Sequence, residues 1–307
     1  MSERPDELAA TVGSLVGAKV TEVRRLSGGA SRETWSVDAL GPDGRVRPLI
    51  VRRDPRGIAR APEAALLRAA AKAGVPVPAI VAEDDEHLVV ERIEGETIPR
   101  KILRDEAFAA ARPLLARQCG KALARIHAIP VDAVPGLARE DPITTWRTAL
   151  DNLGQPHPTF ELALRWLERR RPPEAGTAIV HGDFRHGNLI VGPDGLRAVL
   201  DWELAHLGDP MEDLGWLCVK AWRFGVDKPV GGFGDYDELF AAYEGAAGRA
   251  VDPEVVRWWE VLGTLKWGIM CIIQAFTHLS GTVRSVELAT IGRRVCENEW
   301  DLLGLIA

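Results

Sequence analysis

Closely spaced cysteines are missing from this chain. Cys119, Cys218, Cys271 and Cys296 lie far apart, and no two form a Cys-x-x-Cys pair. That excludes a disulfide-stapled scaffold and a thiolate metal site, and predicts small core residues in a reducing compartment. No apolar run reaches the length a bilayer demands, because charges interrupt every stretch, so no membrane partner is expected. The N-terminus, MSERPDELAATVGSL, has no basic region followed by an apolar one. This argues against a signal peptide and makes the cytoplasm the expected location. A basic excess is absent too: 38 Lys and Arg against 44 Asp and Glu give a net charge of −6, and no nucleic-acid partner is expected. There is no internal repeat and no low-complexity tract. With 307 residues and 46% hydrophobic content, the chain can bury one large core or two smaller ones.

The first part of the chain reads as strands around one helix. Val20–Leu26, Thr34–Val37, Arg47–Arg52 and His87–Ile93 are rich in β formers. The turn Gly41-Pro42-Asp43-Gly44 divides the second from the third. Pro62 sits where a helix can begin, and Glu63–Ala73 continues it. From about Gly95 the composition becomes helical, over Ala107–Ile129, Thr144–Leu153 and Phe160–Arg170. Asp209-Pro210-Met211-Glu212 predicts a capped helix start with a capping box, and Asp252-Pro253-Glu254 starts another helix the same way.

One segment carries the chemistry: His181–Glu203, HGDFRHGNLIVGPDGLRAVLDWE. It holds Asp183, Asn188 five positions later, a hairpin around Gly192-Pro193-Asp194-Gly195, and Asp201. Phosphoryl transfer is mostly positioning plus neutralisation of spread negative charge by Mg²⁺. A hard cation wants oxygen ligands, which Asn188 and Asp201 supply, and the hairpin brings the two together. A carboxylate such as Asp201 at a strand's end is costly without a partner, and a cation is one. Asp183 is then left to accept or orient the proton of an attacking hydroxyl. Arg185 is a candidate to neutralise the transferring phosphoryl group, and His186 a candidate to touch substrate or phosphate. If the chain stays extended past Asp201, the i, i+2 relation puts Glu203 on the same side as a further metal ligand. The alternative for Glu203 is a surface or salt-bridging role.

HGDFRHGN resembles the Brenner motif of aminoglycoside phosphotransferases and choline kinase-like enzymes, and it matches the spacing of the kinase catalytic loop. LDWE is similar to that family's counterpart of the kinase D-F-G, LSGGASRETW to its phosphate loop, and VVERIEG to its hinge. The resemblance implies an α+β, protein kinase-like bilobal fold. Its N-lobe, residues 1–94, would be a small antiparallel sheet that binds nucleotide; its C-lobe, residues 95–307, would be mainly helical and catalytic. It also implies Asp183 as base, Asn188 and Asp201 as metal ligands, with Glu203 joining them in relatives that carry Asp-x-Glu. His181 and Asp213 would support the catalytic loop. The nucleotide would meet Ser27, Gly28, Gly29 and Ser31 of the phosphate loop, Arg52 of the strand, Glu63 orienting that Arg, and Glu91 to Ile93 as hinge.

The nucleotide lobe departs from the kinase pattern. The strand ends Ile50-Val51-Arg52-Arg53 with no Lys, so an Arg fork would hold the phosphates. Adjacent strand residues face opposite sides, so only one of the two can do so. The family pattern selects Arg52, with Arg53 as the fallback. Gly28-Gly29 lacks the full G-x-G-x-x-G. ATP is the expected donor and GTP the alternative.

Only a few residues separate Glu203 from Pro210, and no Ala-Pro-Glu follows. A peptide-docking segment is therefore absent, and the expected acceptor is a hydroxyl of a small molecule. LDWELAHLGDPMEDLGWL resembles the kinase domains associated with acyl-CoA dehydrogenases. That likeness implies a hydroxyacyl-CoA acceptor; an aminoglycoside, sugar or amino alcohol is the other expectation. The tryptophans at 202, 216, 222, 258, 259 and 267 are expected mainly in the core, with a few lining an apolar pocket. A nucleotide-binding pseudokinase serving as an interaction module, and a transferase that moves an adenylyl group, are the competing readings. Monomer and homodimer both stay open.

Overall fold

The computed structural model describes residues 4–26, 33–53 and 60–307. Its N-terminal part is an antiparallel five-stranded sheet in the order β1-β2-β3-β5-β4. The elements are α1 (Pro5–Val16), β1 (Lys19–Arg25), β2 (Glu33–Leu40), β3 (Val46–Arg53), α2 (Arg60–Lys72), β4 (Ile80–Glu83) and β5 (His87–Glu91). Alternation sorts the two faces of the sheet. Val37, Leu49, Val51 and Val89 face α1, where they bury Leu8 and Val12. Leu88 and Val90 face the other way, toward Leu66 and Leu67 of α2. Arg52 therefore lies on the α2 side, opposite Val51.

The rest is mainly helical: α3 (Pro99–Arg104), α4 (Arg112–His127), α5 (Pro142–Leu153) and α6 (Pro158–Arg169). A short pair follows, β6 (Ala178–Val180) with β9 (His206–Gly208), enclosing the hairpin of β7 (Leu189–Gly192) and β8 (Gly195–Val199). Then come α7 (Met211–Cys218), α8 (Tyr236–Ala247), α9 (Pro253–Leu279), α10 (Val286–Ile291) and α11 (Val295–Ile306). An antiparallel sheet region followed by a helical region is the expected kinase-like α+β fold.

The long helix α9 organises this half. Residues 258–269 are all buried, because α5, α6, α7 and α11 pack around it. Asp252 caps α9 by accepting from the Glu254 N–H at 2.9 Å, as expected. The capping box expected at Asp209 does not form. Asp209 accepts from the Met211 and Ala175 N–H groups, whereas Glu212 turns away to His206 and Lys266. A buried carboxylate gains more from two cations than from one backbone N–H.

The six tryptophans expected mainly in the core are all buried. Cys119, Cys218 and Cys271 are buried free thiols, but Cys296 is exposed, against the core reading of all four. Among the described residues, no helix is long and apolar enough to cross a membrane.

Candidate active site

The loop after β6 is held from beneath. Asp213, fully buried on α7, accepts from the backbone N–H of His181 at 2.7 Å and of Gly182 at 2.9 Å. His127 of α4 reaches the same carboxylate at 3.1 Å, and its other ring nitrogen meets the Tyr243 hydroxyl at 2.9 Å. Burial alone would raise the Asp213 pKa; the His127 hydrogen bond and charge, together with the His181 contacts, hold it below its ordinary value instead.

His181 sits 3.0 Å from the Leu200 carbonyl through Nε2, while its Nδ1 accepts from the Asp183 N–H at 3.2 Å. A carbonyl can only accept, so Nε2 carries the proton. Burial pushes the ring's pKa down. His181 is thus a neutral brace that joins the loop to the end of the hairpin. Gly182 adopts φ +76°, and a Cβ there would fall 2.4 Å from the Leu204 carbonyl oxygen. Only glycine fits that turn.

Asp183 is nearly buried and receives three donors. Asn188 Nδ2 lies 2.7 Å from Oδ2; Arg185 Nε and Trp216 Nε1 each lie 2.9 Å from Oδ1. Asn188 Nδ2 also reaches the Asp183 carbonyl at 3.0 Å. Both partners are acceptors only, which fixes the amide orientation and leaves the Asn188 oxygen for another group. Arg185 spends a further N–H on the His186 carbonyl at 2.8 Å, and its guanidinium lies 4.6 Å over the Trp222 ring. His186 is fully buried between Phe224 and Phe233. Burial lowers its pKa to about 4, so it is a neutral packing residue that does not face a cleft.

The hairpin register delivers Asp201. Leu189 pairs with Val199, and the Leu200 N–H bonds the Asn188 carbonyl at 2.8 Å, so Asn188 and Asp201 leave the same end of the ribbon. Asp201 takes the left-handed conformation, φ 64° and ψ 68°. A non-glycine residue held there is strained, and such strain concentrates at functional sites. A turn of 3₁₀ helix, Trp202–Leu204, follows at once. The extended backbone expected past Asp201 is therefore absent, because Trp202 must turn inward to pack on His181, 4.7 Å ring to ring. Glu203 is exposed on that turn, close enough for its charge to act on Arg52.

Arg52 reaches across from β3. Its Nη2 lies 2.9 Å from Asp201 Oδ1, and its Nη1 forms an ion pair with the buried Glu63 of α2. Arg53 faces away, toward Glu33 and Glu86. Of the two arginines, Arg52 is the one beside the Asp201 end of the hairpin. At the expected hinge, the Glu91 N–H is spent on the Ala79 carbonyl at 2.9 Å and is not free for a base; Ile93 lies just beyond the strand. Ser27, Gly28, Gly29 and Ser31 lie outside the described residues.

Three residues of this site escaped the sequence reading as site residues. The sequence places Trp216 only in core or pocket, yet it bonds Asp183. Lys266 of α9 donates to the Gly182 carbonyl at 2.9 Å and stands 4.5 Å over the Trp216 ring. Its signal was a lone cation inside the apolar run GTLKWGIMCII. His206 contacts the Leu204 carbonyl at 2.9 Å through Nδ1 and Glu212 at 3.2 Å through Nε2. Acceptors on both sides favour the doubly protonated ring: burial opposes its charge, but the Glu212 hydrogen bond and charge raise its pKa above the ordinary value.

Among the described residues, no group of three His, Cys, Asp or Glu side chains could hold a metal ion. The set at the hairpin end is mixed, one amide oxygen and carboxylates. Those are donors suited to a hard divalent cation and not to a soft one.

Known proteins resemble this chain over most of its length. The family model described as phosphotransferase enzyme family, APH, matches residues 22–259. Mouse acyl-CoA dehydrogenase family member 10 is 30% identical over 213 residues, which cover 62% of this chain and 20% of that protein. Streptomycin 3''-kinase of Streptomyces griseus is 31% identical over 164 residues, 48% of this chain and 58% of the kinase. The chain thus spans about a fifth of the mouse relative and under two thirds of the streptomycin kinase. A ternary complex of the phosphotransferase APH(2'')-IIa with streptomycin and ATP superposes with a TM-score of 0.62 at 21% identity, over 89% of this chain and 91% of that one.

Proposed function

This chain belongs to the APH phosphotransferase enzyme family, a family of small-molecule kinases, and from that premise we propose that it transfers the γ-phosphoryl group of ATP to a hydroxyl of a small molecule with Mg²⁺ as cofactor. The observation that carries the reading is the joining of Asp183 to Asn188 and of Asp201 to Arg52, at one end of one hairpin. Asn188 and Asp201 would hold the cation, with Glu203 beside them. Bound there, Mg²⁺ would neutralise phosphate charge and orient the triphosphate. Arg52 would meet the phosphates as a fork of donors, steadied by Glu63.

Asp183 would accept the hydrogen of the acceptor hydroxyl. The hydroxyl oxygen then bonds the γ-phosphorus as the bond to the β,γ-bridging oxygen breaks. ADP leaves, and the proton passes to Asp183. Arg185, pinned over Trp222, would face the charge on the transferring group.

The two lobes, residues 1–94 and 95–307, would bind nucleotide and acceptor respectively. The curated relatives divide the acceptor question: one is named for streptomycin, whereas the other carries this type of domain in an acyl-CoA dehydrogenase family protein. The deciding experiment incubates the protein with Mg²⁺, ATP or GTP, and four acceptor sets: aminoglycosides, sugars, amino alcohols and hydroxyacyl-CoA thioesters. Acceptor-dependent ADP formation with a phosphorylated product is expected. An adenylylated product, or nucleotide binding with no transfer to any acceptor, would overturn the proposal.

A further inference from the structure

Trp216 does more than fill the core. A buried indole N–H usually finds a hydrogen-bond partner, yet in this protein Trp222, Trp259 and Trp267 bury theirs with none from the protein. Trp216 instead directs its N–H at Asp183 Oδ1, 2.9 Å away and shielded from solvent. The ring is held on several sides. Lys266 stands 4.5 Å over it, Trp222 tilts against it at 5.2 Å, and Gly263 of α9 lies beneath. A Cβ on Gly263 would come within 3.1 Å of Trp216 Cε3 and 2.8 Å of Val219, so glycine there is what lets the indole sit this close to α9.

A carboxylate offers about four lone-pair positions, two on each oxygen. Trp216 and Arg185 take both on Oδ1, and Arg185 is itself seated on Trp222. Asn188 takes one on Oδ2. A single position, on Oδ2, is left for an incoming hydroxyl.

We infer that Trp216 is a positioning residue of the phosphoryl-transfer reaction, closing Oδ1 of Asp183 so that one acceptor hydroxyl is received on Oδ2. This rests on the reading of Asp183 as the group that accepts the hydroxyl proton. The chemistry selects an acceptor that presents a single hydroxyl hydrogen to that oxygen at a time, and turnover depends on the indole N–H and not on the ring alone.

Trp216→Phe keeps an aromatic ring but removes the N–H together with the rest of the five-membered part of the indole. With Mg-ATP hydrolysis as the assay, kcat is expected to fall about 10- to 100-fold, with KM for ATP within about twofold of wild type, the signature of a contact that positions and does not bind. Gly263→Ala retains the N–H but pushes the ring, and should lower kcat in the same direction. A folded Trp216→Phe protein with unchanged kcat, or one that changes only KM, would overturn the inference.

A second measurement needs no turnover. The Trp216 indole N–H resonance, assigned by NMR in the wild-type protein, should move upfield when Asp183→Ala removes its acceptor; an unmoved resonance would refute the contact. Wild-type protein that binds Mg-ATP but hydrolyses none, and transfers to no acceptor, would strike the proposed reaction, leaving the resonance to decide the contact separately.

Discussion

Arg52 Nη2 and Asp201 Oδ1 meet at 2.9 Å across 149 positions of sequence. The bond fastens the sheet to the end of the β7–β8 hairpin, and the same guanidinium holds Glu63 of α2. One side chain thus couples the strand, the helix and the Asp201 carboxylate. Arg52→Ala should weaken ATP binding about 10- to 100-fold, the scale of one or two lost charge-assisted bonds. It should also lower Tm, because the cation facing buried Glu63 disappears. Arg52→Lys keeps the charge but not the fork, and should fall between. Calorimetric ATP titration with a thermal melt checks both; wild-type affinity in Arg52→Ala would remove Arg52 from the nucleotide site.

Asp183→Ala should reduce turnover by about 10²–10⁴ while leaving ATP affinity nearly intact, since in the proposed reaction the carboxylate would face the acceptor and not the triphosphate. Asp183→Asn should be almost as slow. It can still accept from Trp216 or Arg185, but not act as a base. Steady-state kinetics on whichever acceptor turns over would check this. Wild-type turnover in either variant would take the base assignment away from Asp183.

Much of this site was legible in the sequence because its chemistry is local. Asp183, Asn188 and Asp201 sit on one loop and one hairpin, so spacing alone brings them together. The sheet was legible through β-rich runs, though β4 and α1 escaped: Ile80–Glu83 is too short to show a period, and α1 precedes the region where strands dominate. What could not be read is what distant elements bring. Trp216 stands on Asp183 only because α7 packs on α9 through Gly215 and Gly263. Lys266 is 84 positions from Gly182. The extended path expected for Glu203 failed for a tertiary reason, the burial of Trp202 against His181. The Asp209 capping box failed because Glu212 found two cations in space that the local pattern could not show.

Stability should depend on pH through His206. Burial alone would disfavour its charge, but the hydrogen bond and charge of Glu212 raise its pKa above the ordinary 6.5. Lys266 opposes this from α9, and the Leu204 carbonyl supports it. A raised folded-state pKa means protonation favours the folded protein. The stabilisation is complete below about pH 6.5 and is lost as pH rises through the folded value. His181 and His186 run the other way, since burial lowers both, so only a difference measurement isolates His206. The stability gap between wild type and His206→Gln should be widest below about pH 6.5 and shrink as pH rises through the folded value. Urea melts across that range provide the test. A gap that is flat, or grows with pH, would show that His206 is not held charged.

Lys266 is the most exacting case, because a cation buried in α9 carries its own penalty. It is nearly inaccessible, donates to the Gly182 carbonyl at 2.9 Å, and lies 3.6 Å from Glu212. Lys266→Met fills similar volume without the charge. It deprives the loop of a donor and Glu212 of a cation, and should cost about 3–5 kcal/mol, the range for breaking a buried pair from one side. Adding Glu212→Gln should restore part of that loss, since the neutral amide no longer needs the cation. The double variant should therefore be more stable than the sum of the single effects predicts, by about 1–2 kcal/mol. Urea unfolding of the four proteins closes the cycle. Strict additivity would mean that His206 alone satisfies Glu212, and that Lys266 serves the catalytic loop only through the Gly182 carbonyl.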